Sequence, residues 1–212
     1  MSNPLHTIIR DMRALTPSYP LADLQAKTIT ERQTTKFLHL LNIQRPPVDV
    51  GLITEIPRVE VVVRTSHQLG GLSGLSEWNK GHWQIAVNRD DSTTRRRFTL
   101  AHEFKHVIDH PFMRVLYTDQ WGRIDDQRVE NICDYFAACL LMPRSWVKHA
   151  WATMTQNCTK LAAYFRVSPA AMTRRLTDLH LSEPHPRHWQ HQSVARYFRA
   201  RHNANIRIAL KT

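Results

Sequence analysis

Residues 102 to 106 of this 212-residue chain read H-E-F-K-H, two histidines four apart with a glutamate directly after the first. On a helix that spacing puts His102 and His106 on one face about a turn apart, where both can aim an imidazole nitrogen at one point. Zinc takes nitrogen ligands at about 2 Å, a distance this geometry provides. Glu103 projects about 100° around the helix from His102, and in such a motif its carboxylate reaches the water on the metal, the position of a general base. The chemistry open to such a trio is metal-assisted hydrolysis, in which the metal polarises a carbonyl and the carboxylate relays a proton to the leaving amine. With 13 His in the chain, a chance H-E-x-x-H on an ordinary buried helix is a real competitor, so the surroundings have to decide.

Two histidines leave such a site one protein ligand short. His110 extends the same stripe, but at 1.5 Å rise it lies about 12 Å along the axis from His102, too far to share one metal with both others. Glu130 opens "ENICD", in which Glu130 and Asp134 share a helix face. Glu130 can ligate zinc while Asp134 holds the other nitrogen of a histidine; the alternatives are a helix-start carboxylate and a structural hydrogen bonder. Ile132, Phe136, Ala137, Leu140 and Leu141 around them are core-like, and an unpaired carboxylate among such residues is costly. A His-His-Glu set leaves the fourth zinc position open, the arrangement of a catalytic site.

The elements that must carry these residues are legible in part. Residues 90 to 94 offer several caps ahead of Arg95, and Phe98, Ala101, Phe104, Val107 and Ile108 recur at helical spacing to about Asp109, which places the motif mid-helix. A second, strongly apolar helix runs from about Asp126 to Leu141 and stops at Pro143. Upstream, "PRVEVVVRT" alternates like a strand, and "LSGLSEW" with "HWQIAVN" across Asn79, Lys80 and Gly81 reads as a hairpin. Thr28 and Glu31 suggest a capping box opening an amphipathic helix over roughly 29 to 43. Residues 159 to 181 read as helix, short turn and helix with Pro169 in the first turn. The fold class is therefore α+β, a small, mostly antiparallel sheet packed on an active-site helix and a ligand-bearing helix, with a helical C-terminal portion. Its expected divisions are a loosely packed N-terminal arm (1–27), a catalytic domain (28–150), a helix-turn-helix-like portion (151–182) and a basic tail (183–212).

Composition narrows the setting. No apolar run approaches the roughly 20 residues of a membrane span, and the opening residues lack a secretory pattern, so the cytoplasm is the expected location. Cys133, Cys139 and Cys158 form no C-x-x-C pair, which argues against a disulfide framework or a cysteine zinc cage and makes them small core residues. A net charge of +11 raises the prospect of an acidic partner such as nucleic acid.

"RRRFTLAHEFKH", "ENICDYFAACLLMP" and "LAAYFRVSPAAMTRRL" together resemble the ImmA/IrrE family of zinc metallopeptidases, over about residues 30 to 181. The resemblance implies that His102, His106 and Glu130 ligate Zn2+ and that Glu103 is the catalytic acid/base, on a pared-down gluzincin fold. It also implies a protein substrate, a helix-turn-helix repressor of the XRE type, whose cleavage derepresses stress-response or mobile-element genes. One departure is Lys105, where the family commonly has Gly; an exposed Lys beside the metal face is expected to alter substrate contacts without preventing zinc binding. Candidates for stabilising the oxyanion are His110, Tyr117 and Tyr135.

Two readings compete with a peptidase. In one, residues 159 to 181 are a true DNA-binding helix-turn-helix, with Arg174, Arg175 and the basic tail on phosphates and bases. Against it, Leu161, Ala162, Phe165, Met172, Leu176 and Leu179 form one stripe that can pack on the catalytic core. In the other, the fold is an interaction module of a toxin–antitoxin or phage-type operon, with hydrolysis secondary.

Overall fold

The computed structural model describes residues 4–118 and 121–181. Its centre is a three-stranded sheet, β1 (Val59–Arg64), β2 (Gly74–Asn79) and β3 (His82–Asn88), in the order β1-β3-β2. β2 and β3 form the expected antiparallel hairpin, and β1 joins β3 in parallel, so the central strand sees one neighbour of each kind. The hairpin turn is the two residues Lys80 and Gly81, at φ 44° and 90°. Two consecutive positive φ angles match the right-handed twist of the flanking strands, and glycine meets the second at no steric expense.

The helices are α1 (Ile8–Arg13), α2 (Asp23–Leu40), α3 (Thr93–Asp109), α4 (Met113–Leu116), α5 (Asp126–Leu141), α6 (Arg144–Thr153), α7 (Cys158–Phe165) and α8 (Pro169–Asp178). α3, which carries the H-E-x-x-H motif, lies under β2 and β3 and packs against α5. Its start is set by Ser92, whose side chain accepts from the Arg95 amide, and α5 starts at Asp125 in the same way, accepting from Arg128. Phe104 is fully buried and meets Phe37 of α2 edge-on at 5.8 Å. This apolar side of α3 anchors the helix, leaving the opposite stripe for polar chemistry.

Two expectations about the N-terminal region are corrected. Residues 4–27 are not a loose arm: Ile8 and Met12 of α1 are completely buried, and Arg13 donates to the Val107 and Ile108 carbonyls at the C-terminal end of α3. Those carbonyls have no partner within their own helix, so the arginine satisfies groups that burial would otherwise strand. Nor does α2 start at a Thr28 capping box. It begins at Asp23, where the Gln25 side chain reaches back to the Ala22 amide, and the Thr28 hydroxyl donates to the Leu24 carbonyl inside the helix.

α7 and α8 join the main core. Leu161, Ala162, Phe165, Met172, Leu176 and Leu179 are all buried there with residues of α3 and α5. Arg166 takes a left-handed conformation at the end of α7, and Ser168 caps α8 by accepting from the Ala171 amide. Arg175, a candidate for DNA contact, is 1% exposed. Its Nε donates to the Met142 carbonyl at the end of α5, and its guanidinium lies over the Tyr135 ring. That placement removes it from any DNA-contacting surface. The basic tail lies outside the described residues. Among the described residues, no helix is long and apolar enough to cross a membrane.

Candidate metal centre

α3 and α5 bring their polar stripes face to face. His102 and His106 approach each other through their Nε2 atoms at 3.2 Å. Glu130 stands between them, Oε2 at 3.3 Å from His102 Nε2 and Oε1 at 3.2 Å from His106 Nε2. Ligand atoms about 2.05 Å from a common centre at tetrahedral angles stand about 3.3 Å apart, so these three groups have the spacing of one tetrahedral metal's ligand set. Glu130 Oε1 is also buried without a hydrogen bond. Apart from its ion-pair contact with His106 that oxygen has no hydrogen bond, which is costly inside a core, and a cation at the centre of the triangle would relieve it.

The electrostatics favour a cation at the same point. Burial opposes charge on His102, but hydrogen bonds to Asp134 and Glu130 outweigh it and raise the imidazole to about 10. Burial likewise opposes the Glu130 carboxylate, yet the neighbouring His102 and His106 rings bring it down to about 2. The pocket thus favours positive charge where a metal ion would sit. Asp134 Oδ1 is 2.9 Å from His102 Nδ1, which turns the Nε2 lone pair inward and fixes the tautomer a metal needs. Arg174 Nη1, from α8, stands 3.7 Å from Asp134 Oδ2 with more than half its side chain exposed.

The Cys133 thiol, expected only as core, also approaches the two imidazoles, the three ligand atoms lying within 4.8 Å of one another. That grouping is looser than the triangle with Glu130. In the metal-free protein burial and then the Glu130 charge push the thiol well up. Glu130 stands closer to both imidazoles, and sequence signalled its approach because a carboxylate among apolar residues demands a partner.

Glu103 is 7% exposed and faces the sheet. A Cβ on Gly74 of β2 would stand 2.3 Å from Thr99 Cγ2 and 3.3 Å from Glu103 Cγ. Glycine therefore lets the edge strand lie directly against the active-site helix, a role sequence reading did not assign. Of the oxyanion candidates, Tyr117 donates to Asp109 at 2.5 Å and Tyr135 to Glu31 at 2.6 Å, so both hydroxyls are committed elsewhere. The His110 ring packs edge-on against Trp83 at 4.8 Å between centroids.

Lys105 is not exposed beside the metal. It is 1% exposed, and its Nζ donates to Asp109 Oδ1 at 2.7 Å and Gln33 Oε1 at 2.6 Å. Gln33 in turn donates to the Met12 carbonyl and Thr16. Burial and the Asp109 charge push the Tyr117 hydroxyl far up, keeping it a donor to this network. These bonds tie α3 to α2, to α1 and to the segment after it. No sequence signal marked Gln33, and Tyr117 was marked only as an oxyanion candidate; the i, i+4 pairing of Lys105 and Asp109 flanked by Val107 and Ile108 was the available hint.

Residues 59–177 match the family model described as IrrE N-terminal-like domain. The chain belongs to this metallopeptidase family. It is 30% identical over 101 residues to the radiation response metalloprotease IrrE of Deinococcus deserti, a stretch covering 46% of this chain and 36% of that protein. The chain thus spans about a third of the length of that relative. In fold it is similar to a Mycobacterium tuberculosis transcriptional regulator, with a TM-score of 0.51 and 14% identity over 80% of this chain and 51% of the other.

Proposed function

We propose that this chain is a zinc-dependent endopeptidase that cleaves a specific protein, a helix-turn-helix repressor of the XRE type, and thereby derepresses stress-response or mobile-element genes. The observation that carries the hydrolytic reading is the triangle of His102, His106 and Glu130, with its buried, unbonded Glu130 Oε1. Zinc held by these residues supplies Lewis-acid activation of water and of the scissile carbonyl. Glu103, on the same helix and beside the strand edge, accepts the proton of the attacking water and delivers it to the leaving nitrogen. Asp134 keeps His102 oriented throughout.

The sheet favours β2 as the edge along which substrate is laid. β1 and β2 are the two outer strands, and α3 lies under β2 and β3, with Gly74 against Glu103. An extended polypeptide added to β2 would gain main-chain hydrogen bonds and pass the catalytic carboxylate. The repressor as substrate rests on the family resemblance. The burial of Arg175 weakens the competing DNA-binding reading, since half of its paired arginine contact is spent inside the core.

The test is co-expression of the chain with candidate XRE-type repressors, beginning with one encoded beside its gene if such a gene exists there. Wild type should remove full-length repressor, and Glu103→Gln should keep its metal and leave the repressor intact. A Glu103→Gln protein that still relieves repression fully would make binding, not hydrolysis, the mechanism.

A further inference from the structure

We propose that Trp78 forms a specificity subsite that takes a large apolar side chain of the polypeptide laid along β2; this rests on the edge-strand peptidase reading above. Gly74, Ser76 and Trp78 pair with Val87, Ile85 and Trp83 and so share one face of the sheet. Gly74 shows which face it is, because its missing Cβ points at Thr99 and Glu103 of α3. Trp78 therefore lies on the catalytic face, four residues along the edge strand, about 13 Å away at the usual strand rise. Its indole meets Trp83 edge-on at 5.4 Å, and Trp83 is held from below by His110 at 4.8 Å. Trp83 is 8% exposed, a fixed floor, whereas Trp78 is 53% exposed and leaves much of its apolar surface in water.

An added strand keeps the two-residue alternation of β2, so every second side chain of the bound polypeptide falls on the face of Trp78. The one that crosses Trp78 is three to four residues from the bond beside Glu103, by the same register. A rigid, half-exposed indole there rewards Phe, Tyr, Trp, Leu or Met and gives nothing to Ser or Asp. Removing such a side chain from water is worth about ten- to a hundredfold in affinity.

The test uses the full chain carrying Glu103→Gln and loaded with zinc, panned against a random dodecapeptide display library. Enriched peptides should carry a large apolar residue at one constant place. Changing that residue to Ser, or Trp78 to Ala, should each weaken binding at least tenfold. The two changes together should weaken it little further, and Trp78→Phe should retain binding. Enrichment without an apolar preference, indifference to Trp78→Ala, or no enrichment at all overturns the subsite. N-methylation of alternate peptide bonds separates the two levels. Binding lost on methylation but indifferent to Trp78→Ala leaves strand addition standing and refutes only the subsite, whereas binding indifferent to methylation refutes strand addition and the subsite with it.

Discussion

Lys105→Met removes one partner of a charge pair that is sealed from water. The side chains of Lys105 and Asp109 are 1% and 2% exposed, with Nζ and Oδ1 2.7 Å apart. Methionine keeps most of the lysine's volume, so little cavity forms. What remains is the Asp109 carboxylate, bonded to Tyr117 through its other oxygen and attracted by the Arg13 guanidinium but stripped of the cation bonded to it, together with a Gln33 oxygen that has lost its donor. Stripping one member from a buried pair costs about 3–5 kcal/mol. The double substitution Lys105→Met with Asp109→Leu removes the stranded charge and should recover much of that loss, because apolar replacement of a whole buried pair is commonly neutral or stabilising. Urea denaturation of wild type, both single variants and the double variant closes the cycle. A Lys105→Met protein within about 1 kcal/mol of wild type would refute the reasoning, since that is the range of exposed pairs.

Other expectations follow from the same contacts. Asp134→Ala takes away the acceptor of His102 Nδ1 and should weaken metal binding about 10–100-fold, read by competition with a chromophoric chelator. Gly74→Ala forces a methyl against Thr99 and should cost about 1–3 kcal/mol in thermal or urea melts, because neither β2 nor α3 can withdraw easily. In metal-free protein, His102 is raised to about 10, so its stabilising contribution is complete below the unfolded value and is lost as pH rises through about 10; the melting temperature should fall over that window in the metal-free protein alone, and a flat profile would contradict it. Arg175→Ala strands the Met142 carbonyl and should lower the melting temperature clearly, whereas Arg174→Ala, at an exposed side chain, should shift it little.

Sequence revealed most where a local signal carried the structure. α3 was legible because capping residues precede it, Ser92 among them, and its apolar residues recur with the helical period, and α5 because a strongly apolar run stops at Pro143. The hairpin was legible because Asn79, Lys80 and Gly81 interrupt two alternating strands. The approach of Glu130 to the two histidines was anticipated for an energetic reason, the expense of a lone carboxylate among core residues. The start of α2 was misread because Ala22 has no side-chain acceptor, so the signal was a Gln25 reaching backward. α1 was missed because a six-residue helix with two buried side chains shows no period. Lys105 was misplaced because one of its partners, Gln33, is 72 positions away, and a lysine is ordinarily read as exposed. Arg175 was misread for a similar reason: its acceptor is a main-chain carbonyl at the end of another helix, which no side-chain pattern announces.

The measurement that tests the central claim most directly is X-ray absorption at the zinc edge on the zinc-loaded chain. An open site built from His102, His106 and Glu130 predicts a first shell of nitrogen and oxygen at about 2.0–2.1 Å, two imidazoles in the outer scattering and no sulfur. A sulfur shell at about 2.3 Å would place Cys133 on the metal and close the site, and a chain that retains no zinc would remove the metal centre altogether.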